Sequence, residues 1–147
     1  MATHQDYEGQ GLVRALMDWA HARSASKYYV RVPDPVALLD RLRPVLGARL
    51  AAFGDGEVLV SFFRSHVRFS HAAGVVGPMR PGGPLQGPYA QGGAGVAPDM
   101  VGSLLFGPLG IDGLRELHPD VYPGPHEALM SALFPPVRAD LLTFYVP

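Results

Sequence analysis

The stretch that decides the fold is residues 33–53, which reads PDPVALLDRLRPVLGARLAAF. Asp34 can accept a hydrogen bond from a free amide of a first helical turn, and Pro35 fits the first helical position because its missing N–H would have no partner there. Pro44 removes a backbone hydrogen bond farther along, so we expect a helix that is kinked at this residue. Apolar residues at helical spacing form one stripe of this helix, with Leu39 and Leu50 at its margins and Leu38, Leu42, Val45 and Leu46 along it.

Strands are predicted on both sides of this helix. Residues 57–70, EVLVSFFRSHVRFS, are rich in β-branched and aromatic side chains and alternate as a strand does. The apolar face changes sides between Phe62 and Arg64, which predicts a bulge there or a break into two strands. A shorter alternation over residues 28–32 predicts another strand.

The segment at residues 74–98 is punctuated by glycine and proline. This composition is typical of a linker, a mobile lid or a long irregular loop, so we expect little regular hydrogen bonding and considerable mobility. Helical spacing returns in three short runs after it, and residues 139–147 predict a closing strand. Strands and helices that are partly segregated along the chain indicate the α+β class.

Composition limits the function classes. The chain has 147 residues, of which 48% are hydrophobic and 17% charged, with a net charge of −1. This size fits one domain, and the lack of a basic surplus disfavours nucleic-acid binding. Cysteine is absent, the N-terminal residues do not resemble a secretory signal, and no apolar run approaches the ~20 residues of a spanning helix. We therefore expect a cytoplasmic protein that is not membrane-spanning.

The tripeptide His-Pro-Asp at residues 118–120 also occurs in J-domain co-chaperones, where it follows a long basic helix. Here the preceding segment contains Gly107, Gly110 and Gly113, which are unfavourable inside a helix, and it is not basic. The more economical interpretation is a short helix that ends at residue 118 because Pro119 stops it.

No complete catalytic or metal-binding constellation stands out in the sequence, so no cofactor and no catalytic residue are predicted. His66 and His71 are five residues apart and would face opposite sides of a strand. Asp112 and Glu116 are four residues apart, a spacing that puts them on one helix face, and a solvated face is a commoner explanation for such a pair than a general-acid site. Arg64 and Arg68 are weak candidates for polar anchors that bind a ligand carboxylate, although an outward-facing strand surface is the commoner explanation for such residues.

The apolar residues form a more informative set, because they can all point between a sheet and its helices. Two interpretations stay open for each of them: part of a closed core, or part of the lining of an apolar pocket that binds a lipid. In the second case the Gly/Pro-rich segment would suit a mobile cover. The pocket candidates are Leu38, Leu42, Leu46, Val60, Phe62, Leu104, Leu105, Leu129, Leu133 and Phe144.

Four blocks of sequence occur in an order that resembles a known family. They are YYVRVPDPVALLDRLRPVLGARLA from Tyr28, LLFG from Leu104, DGLRELHPDV from Asp112 and ALMSALFPP from Ala128. Together with an aromatic final segment they resemble the sterol-carrier-protein-like domain at the C-terminus of bacterial GNAT-type acetyltransferases of the enhanced-intracellular-survival kind. The resemblance implies a domain over residues 25–147, preceded by a helical extension over residues 1–24.

The resemblance implies an α+β, sterol-carrier-like fold with a sheet of about five strands and helices packed on one face. In free-standing carriers of this fold an apolar tunnel holds a fatty acyl or sterol-like ligand. In the acetyltransferases the domain is joined to two acetyltransferase lobes, and its terminal carboxylate lies in the site of the catalytic lobe, where it can serve as a general base. This chain ends on Pro147 where the family usually has an aromatic residue, and the segment before Tyr28 is too short for an acetyl-coenzyme A domain.

Two functions follow from the resemblance. The first is a non-catalytic domain that binds an apolar lipid, fatty acyl or sterol-like ligand. The alternative is a structural or oligomerisation module of a GNAT-type acetyltransferase, with a filled core and no ligand of its own. The expected partners are an apolar small molecule, an acetyltransferase catalytic lobe, or a second copy of the chain bound through the predicted helix that carries Trp19.

Overall fold

A computed structural model describes residues 30–137 of the chain. The described helices are α1 (Pro35–Arg41), α2 (Arg43–Leu50), α3 (Val101–Phe106), α4 (Gly110–Leu117) and α5 (Glu127–Leu133), with short 3₁₀ turns at Pro88–Gln91 and Pro98–Met100. The strands are β1 (Gly56–Ser61), β2 (His66–Ala72), β3 (Val75–Val76), β4 (Arg80–Gly82), β5 (Ala94–Val96) and β6 (Val121–Tyr122). The predicted Trp19 helix, the closing strand and Phe144 lie outside the described residues.

The start of the long predicted helix is confirmed, whereas the kink expected at Pro44 is instead a division into two helices. The Asp34 side chain accepts a hydrogen bond of 2.9 Å from the amide of Ala37, and Pro35 occupies the first turn of α1. The helix is divided at Leu42, and Pro44 lies in the first turn of α2, where its missing N–H has no intrahelical partner. The proline therefore begins a second helix instead of bending a single one.

The predicted break in the β-rich segment is a hairpin turn. β1 and β2 pair antiparallel over six positions, from Gly56 opposite His71 to Ser61 opposite His66. Phe63 lies between them with a φ of 63°, the left-handed conformation that a tight reversal requires. The expectation of a strand over residues 28–32 is wrong for the described residues 30–32, which are not in a strand.

The prediction that residues 74–98 form an irregular segment is wrong, whereas their mobility stays a prediction. This segment contributes β3, β4, a 3₁₀ turn and β5, and β5 lies in the middle of the sheet beside β1 with Ala94 and Val96 fully buried. Its glycines allow close packing: a Cβ on Gly95 would collide with the ring of Tyr122. The glycine content thus reflects tight contact between neighbouring strands of the sheet, which local sequence pattern does not reveal.

The sheet confirms the α+β class. The strand order is β3, β2, β1, β5, β6, and β4 also pairs with β2, on the same edge as β3. Among the described strands, β1 and β5 form the one parallel pair. One face of the central hairpin, which carries Val58, Val60, Val67 and Phe69, shares a single buried cluster with apolar side chains of all five helices. The three short helical runs predicted after residue 98 are confirmed as α3, α4 and α5.

Candidate functional site

The structure places six of the ten pocket candidates deep in the core. Each of the six belongs to the single apolar cluster and keeps at most 8% of its surface exposed. A side chain that lines an open tunnel retains surface that water can reach, so this burial favours a closed core at these positions. The six are Leu46, Val60, Phe62, Leu104, Leu105 and Leu133.

Three further candidates, Leu38, Leu42 and Leu129, are half-buried at the margin of the same core. Val36 and Met100 are half-buried against the core as well. These five side chains are the apolar margin, and among the described pocket candidates only its members combine core contact with accessible surface. Leu39 and Leu50, predicted at the margins of the apolar stripe, are instead fully buried together with Leu46. Val45, predicted on the stripe, is 46% exposed, because the buried stripe runs through residues 39, 46 and 50, at spacings of seven and four, and Val45 lies to one side of it.

The structure also changes the predicted pair of arginine anchors. Arg64 lies exposed in the turn between β1 and β2, outside either strand. Arg68 is half-buried on β2 and stands directly opposite Arg80 of β4. Arg80 was missed because it lies in the Gly/Pro-rich segment, where the sequence shows no strand alternation that would place it beside β2.

These two arginines belong to an open, polar part of the sheet on the side away from the helices. The Arg68 guanidinium donates a hydrogen bond of 2.6 Å to the side-chain oxygen of Gln91, and the Arg80 guanidinium donates to the Glu57 carboxylate. The Nδ1 of His66 lies 2.8 Å from the backbone carbonyl of Gly83 and donates to it, since a carbonyl can only accept. We call Glu57, His66, Arg68, Arg80 and Gln91 the arginine face.

The rest of this sheet side is covered by the chain itself. The Ser61 hydroxyl, fully buried, donates to the carbonyl of Leu85 at 2.5 Å and accepts from the amide of Phe63 at 3.0 Å. Leu59 is buried beside Gly93, and the Tyr122 ring lies over Gly95. Partial burial raises the pKa of the Tyr122 phenol, with a smaller contribution from the nearby Asp120 carboxylate.

His66 and His71 lie on opposite faces of β2, as their spacing predicts. His71 is buried in the core side beside Gly56, and neither of its ring nitrogens has a hydrogen-bond partner among the described residues. An unpaired buried polar group costs stability, so this imidazole is an energetic defect in the core. Within residues 30–137 no three His, Cys, Asp or Glu side chains are grouped as a metal ion would require.

The end of α4 agrees with the interpretation of the His-Pro-Asp tripeptide as a helix stop. The helix ends at Leu117 with His118 as its C-cap. Arg115 pairs with Glu127 of α5 at 3.2 Å, and the hydrogen bond to Glu127, followed by the charge of that carboxylate, raises the pKa of the guanidinium. Asp112 and Glu116 are exposed, which agrees with a solvated helix face.

Comparisons with protein-family models, with curated proteins and with solved structures found no match for this chain. In the part of the chain that the structure describes, no helix combines the length and the apolar character needed to cross a bilayer. The fold and the two surfaces therefore define the class on their own: an α+β domain with a closed core, an apolar margin and an open arginine face.

Proposed function

We propose that this chain is a non-catalytic, sterol-carrier-like structural module that accompanies the catalytic lobe of a GNAT-type acetyltransferase. The observation that carries the proposal is the closed state of the core, in which six pocket candidates keep at most 8% of their surface exposed. A tunnel for a long acyl chain requires unfilled volume, whereas these side chains fill the space between sheet and helices.

The connections between helices support a rigid supporting role. The Arg49 guanidinium of α2 donates a hydrogen bond of 2.9 Å to the carbonyl of Leu133 at the end of α5. The chain after α5 is bound to the α3–α4 turn through two backbone hydrogen bonds, from Ile111 to Phe134 and from Val137 to Gly107. A module tied together in this way can hold a neighbouring lobe in a fixed orientation.

The resemblance supports the choice of partner. Its four blocks contribute α1 and α2, the end of α3, most of α4 and α5, and these elements surround the one core in chain order. The blocks therefore coincide with helices of the domain, which supports a shared arrangement of helices around the core.

The second candidate function is a carrier for an apolar ligand, and the apolar margin favours it. Leu38, Leu42 and Leu129 expose apolar surface next to the core, and a bound acyl chain would remove that surface from water. Each methylene buried in this way contributes about 0.8 kcal/mol, so a groove at the margin needs only part of a chain to bind usefully.

The two functions are separated by three measurements on the full chain. Native mass spectrometry of protein purified from cells reports a co-purified acyl species, and displacement of an apolar fluorescent probe by long-chain fatty acids reports a binding groove. Light scattering of a mixture with a GNAT catalytic lobe encoded beside this chain reports a complex. We expect no acyl species, no displacement and a complex of defined stoichiometry. A bound acyl species with fatty-acid displacement would support the carrier, and absence of the complex would overturn the module.

A further inference from the structure

We propose that Arg68 and Arg80 together form a binding site for an oxyanion, a phosphate or carboxylate group of a small molecule, on the arginine face. This site is independent of the proposed function, because it lies on the sheet side away from the helices and the core.

The strand register places the two arginines side by side on one face of the sheet. Arg68 of β2 and Arg80 of β4 are directly opposed in an antiparallel pair, so their Cβ atoms lie on one face, about 5 Å apart. Both side chains are held toward β1. Arg68 reaches Gln91 in the 3₁₀ turn that packs against β1, and Arg80 reaches across β2 to Glu57 of β1.

The charges on this face are not balanced by the described residues. Directly opposed like charges on a sheet are unfavourable, and here the two arginines share one ion pair, that of Arg80 with Glu57. Arg68 has no carboxylate within ion-pair distance in residues 30–137, and its partner Gln91 offers a neutral amide oxygen. An oxyanion beside Arg68 would relieve this repulsion.

The chemistry of the pair selects the ligand class. A guanidinium presents parallel N–H donors that match the oxygens of a carboxylate or phosphate, and two of them can hold one group from adjacent sides. Arg80 is 62% and Glu57 49% exposed, so the site is open to a solute without any movement of the sheet. Two guanidinium groups suit a single anionic group and not a nucleic-acid backbone, which needs a longer basic track.

The test is an NMR titration of the full chain with inorganic phosphate and, separately, with acetate, at constant ionic strength, following the arginine side-chain resonances. The variant Arg68→Gln should weaken binding about tenfold, since it removes one of two charge-assisted contacts. Glu57→Gln should strengthen binding several-fold, because it frees the Arg80 guanidinium from its carboxylate. The matched control is Arg41→Gln, which removes an exposed charge of α1 that has no ion pair in the described residues.

The opposite signs of these two effects distinguish a site from general charge attraction. A response to phosphate alone, to acetate alone or to both supports the site and identifies the anionic group it prefers. If neither anion shifts the resonances of Arg68 and Arg80, or if Arg68→Gln changes the affinity no more than Arg41→Gln does, the proposal is wrong. Thermal unfolding confirms that each variant is folded, and Arg80→Gln replaces Arg68→Gln if that variant is not.

Discussion

Replacement of Leu46 by alanine distinguishes a closed core from an open tunnel. Leu46 is 1% exposed on α2, so the change removes buried methyl groups and leaves a cavity unless the helix moves inward. Two contacts oppose that movement: the Arg49 side chain bonds the end of α5, and the backbone of Gly47 lies against Gly74. We therefore expect a loss near the upper part of the usual range, about 3–5 kcal/mol in the free energy of unfolding.

The matched control is Leu38→Ala, at a half-buried position of the apolar margin, where the expected loss is about 1 kcal/mol because much of the side chain already contacts water. Urea unfolding followed by circular dichroism measures both variants, and the larger loss corresponds to a fall of about 6–20 °C in the melting temperature of a domain of this size. Equal losses at the two positions, or a fatty acid that stabilises the wild type but not Leu46→Ala, would refute the closed core.

Three further changes test separate features of the structure. His71→Leu should raise the free energy of unfolding by about 1–3 kcal/mol, because it removes two buried ring nitrogens that have no hydrogen-bond partner among residues 30–137. The control His66→Leu should lower the free energy of unfolding by about 1 kcal/mol through a lost hydrogen bond. Urea titration compares the two variants, and destabilisation by His71→Leu contradicts the unpaired state. Gly47→Ala should lower the free energy of unfolding by more than about 2 kcal/mol in the same assay, because the new Cβ would collide with the carbonyl of Gly74. A neutral effect of this change would disprove that contact. The raised pKa of Tyr122 favours the protonated phenol in the folded state. This group therefore stabilises the protein at pH values below 10.0, the ordinary pKa of the phenol, and the contribution is lost as pH rises through the folded pKa. Unfolding measured at about pH 9 and about pH 11 should therefore show a steeper loss for the wild type than for Tyr122→Phe, and parallel losses would contradict the shift.

The features that the sequence predicts well depend on neighbours within one helical turn. The cap at Asp34, the first-turn position of Pro35 and the break before Pro44 each follow from hydrogen bonds between residues three or four apart, so the local sequence contains all the partners. The stop at Pro119 is also local, because the proline ring clashes with the backbone of the residue before it. The placement of Val45 on the apolar stripe was wrong because the buried stripe is centred on Leu39, Leu46 and Leu50, and which side of the helical segment faces the sheet is a tertiary effect.

The features that the sequence did not predict depend on residues far away in the chain. β5 is buried because it pairs with β1, which lies much earlier in the sequence, and its short run AGV contains no alternation that indicates a central strand. The same reason applies to the site. Arg68 was recognised from its own strand, but its counterpart Arg80 follows from the register of β4, which the sequence of the Gly/Pro-rich segment does not encode locally.

The distribution of burial indicates where function can reside in the described residues. The face of β1 and β2 toward the helices is closed. On the opposite face, the segment around Leu85 covers Ser61, whose hydroxyl bonds the Leu85 carbonyl, whereas Arg68 and Arg80 farther along the same face keep accessible surface. Because the interior is filled, a ligand or partner of this part of the chain binds at its surface, where the apolar margin and the arginine face are the two candidate sites that we propose.

These two surfaces differ in what they can bind. Binding at the apolar margin is favoured by the removal of apolar surface from water, which suits a protein lobe or an acyl chain. Binding at the arginine face, as we propose it, is favoured by an anionic group that offsets the repulsion between Arg68 and Arg80. The two gains respond oppositely to salt: added salt screens the exposed arginine pair and leaves apolar burial intact or strengthens it. Binding measured at low and high ionic strength therefore distinguishes a partner held by charge, as we propose for the arginine face, from one held by apolar burial, as we propose for the apolar margin.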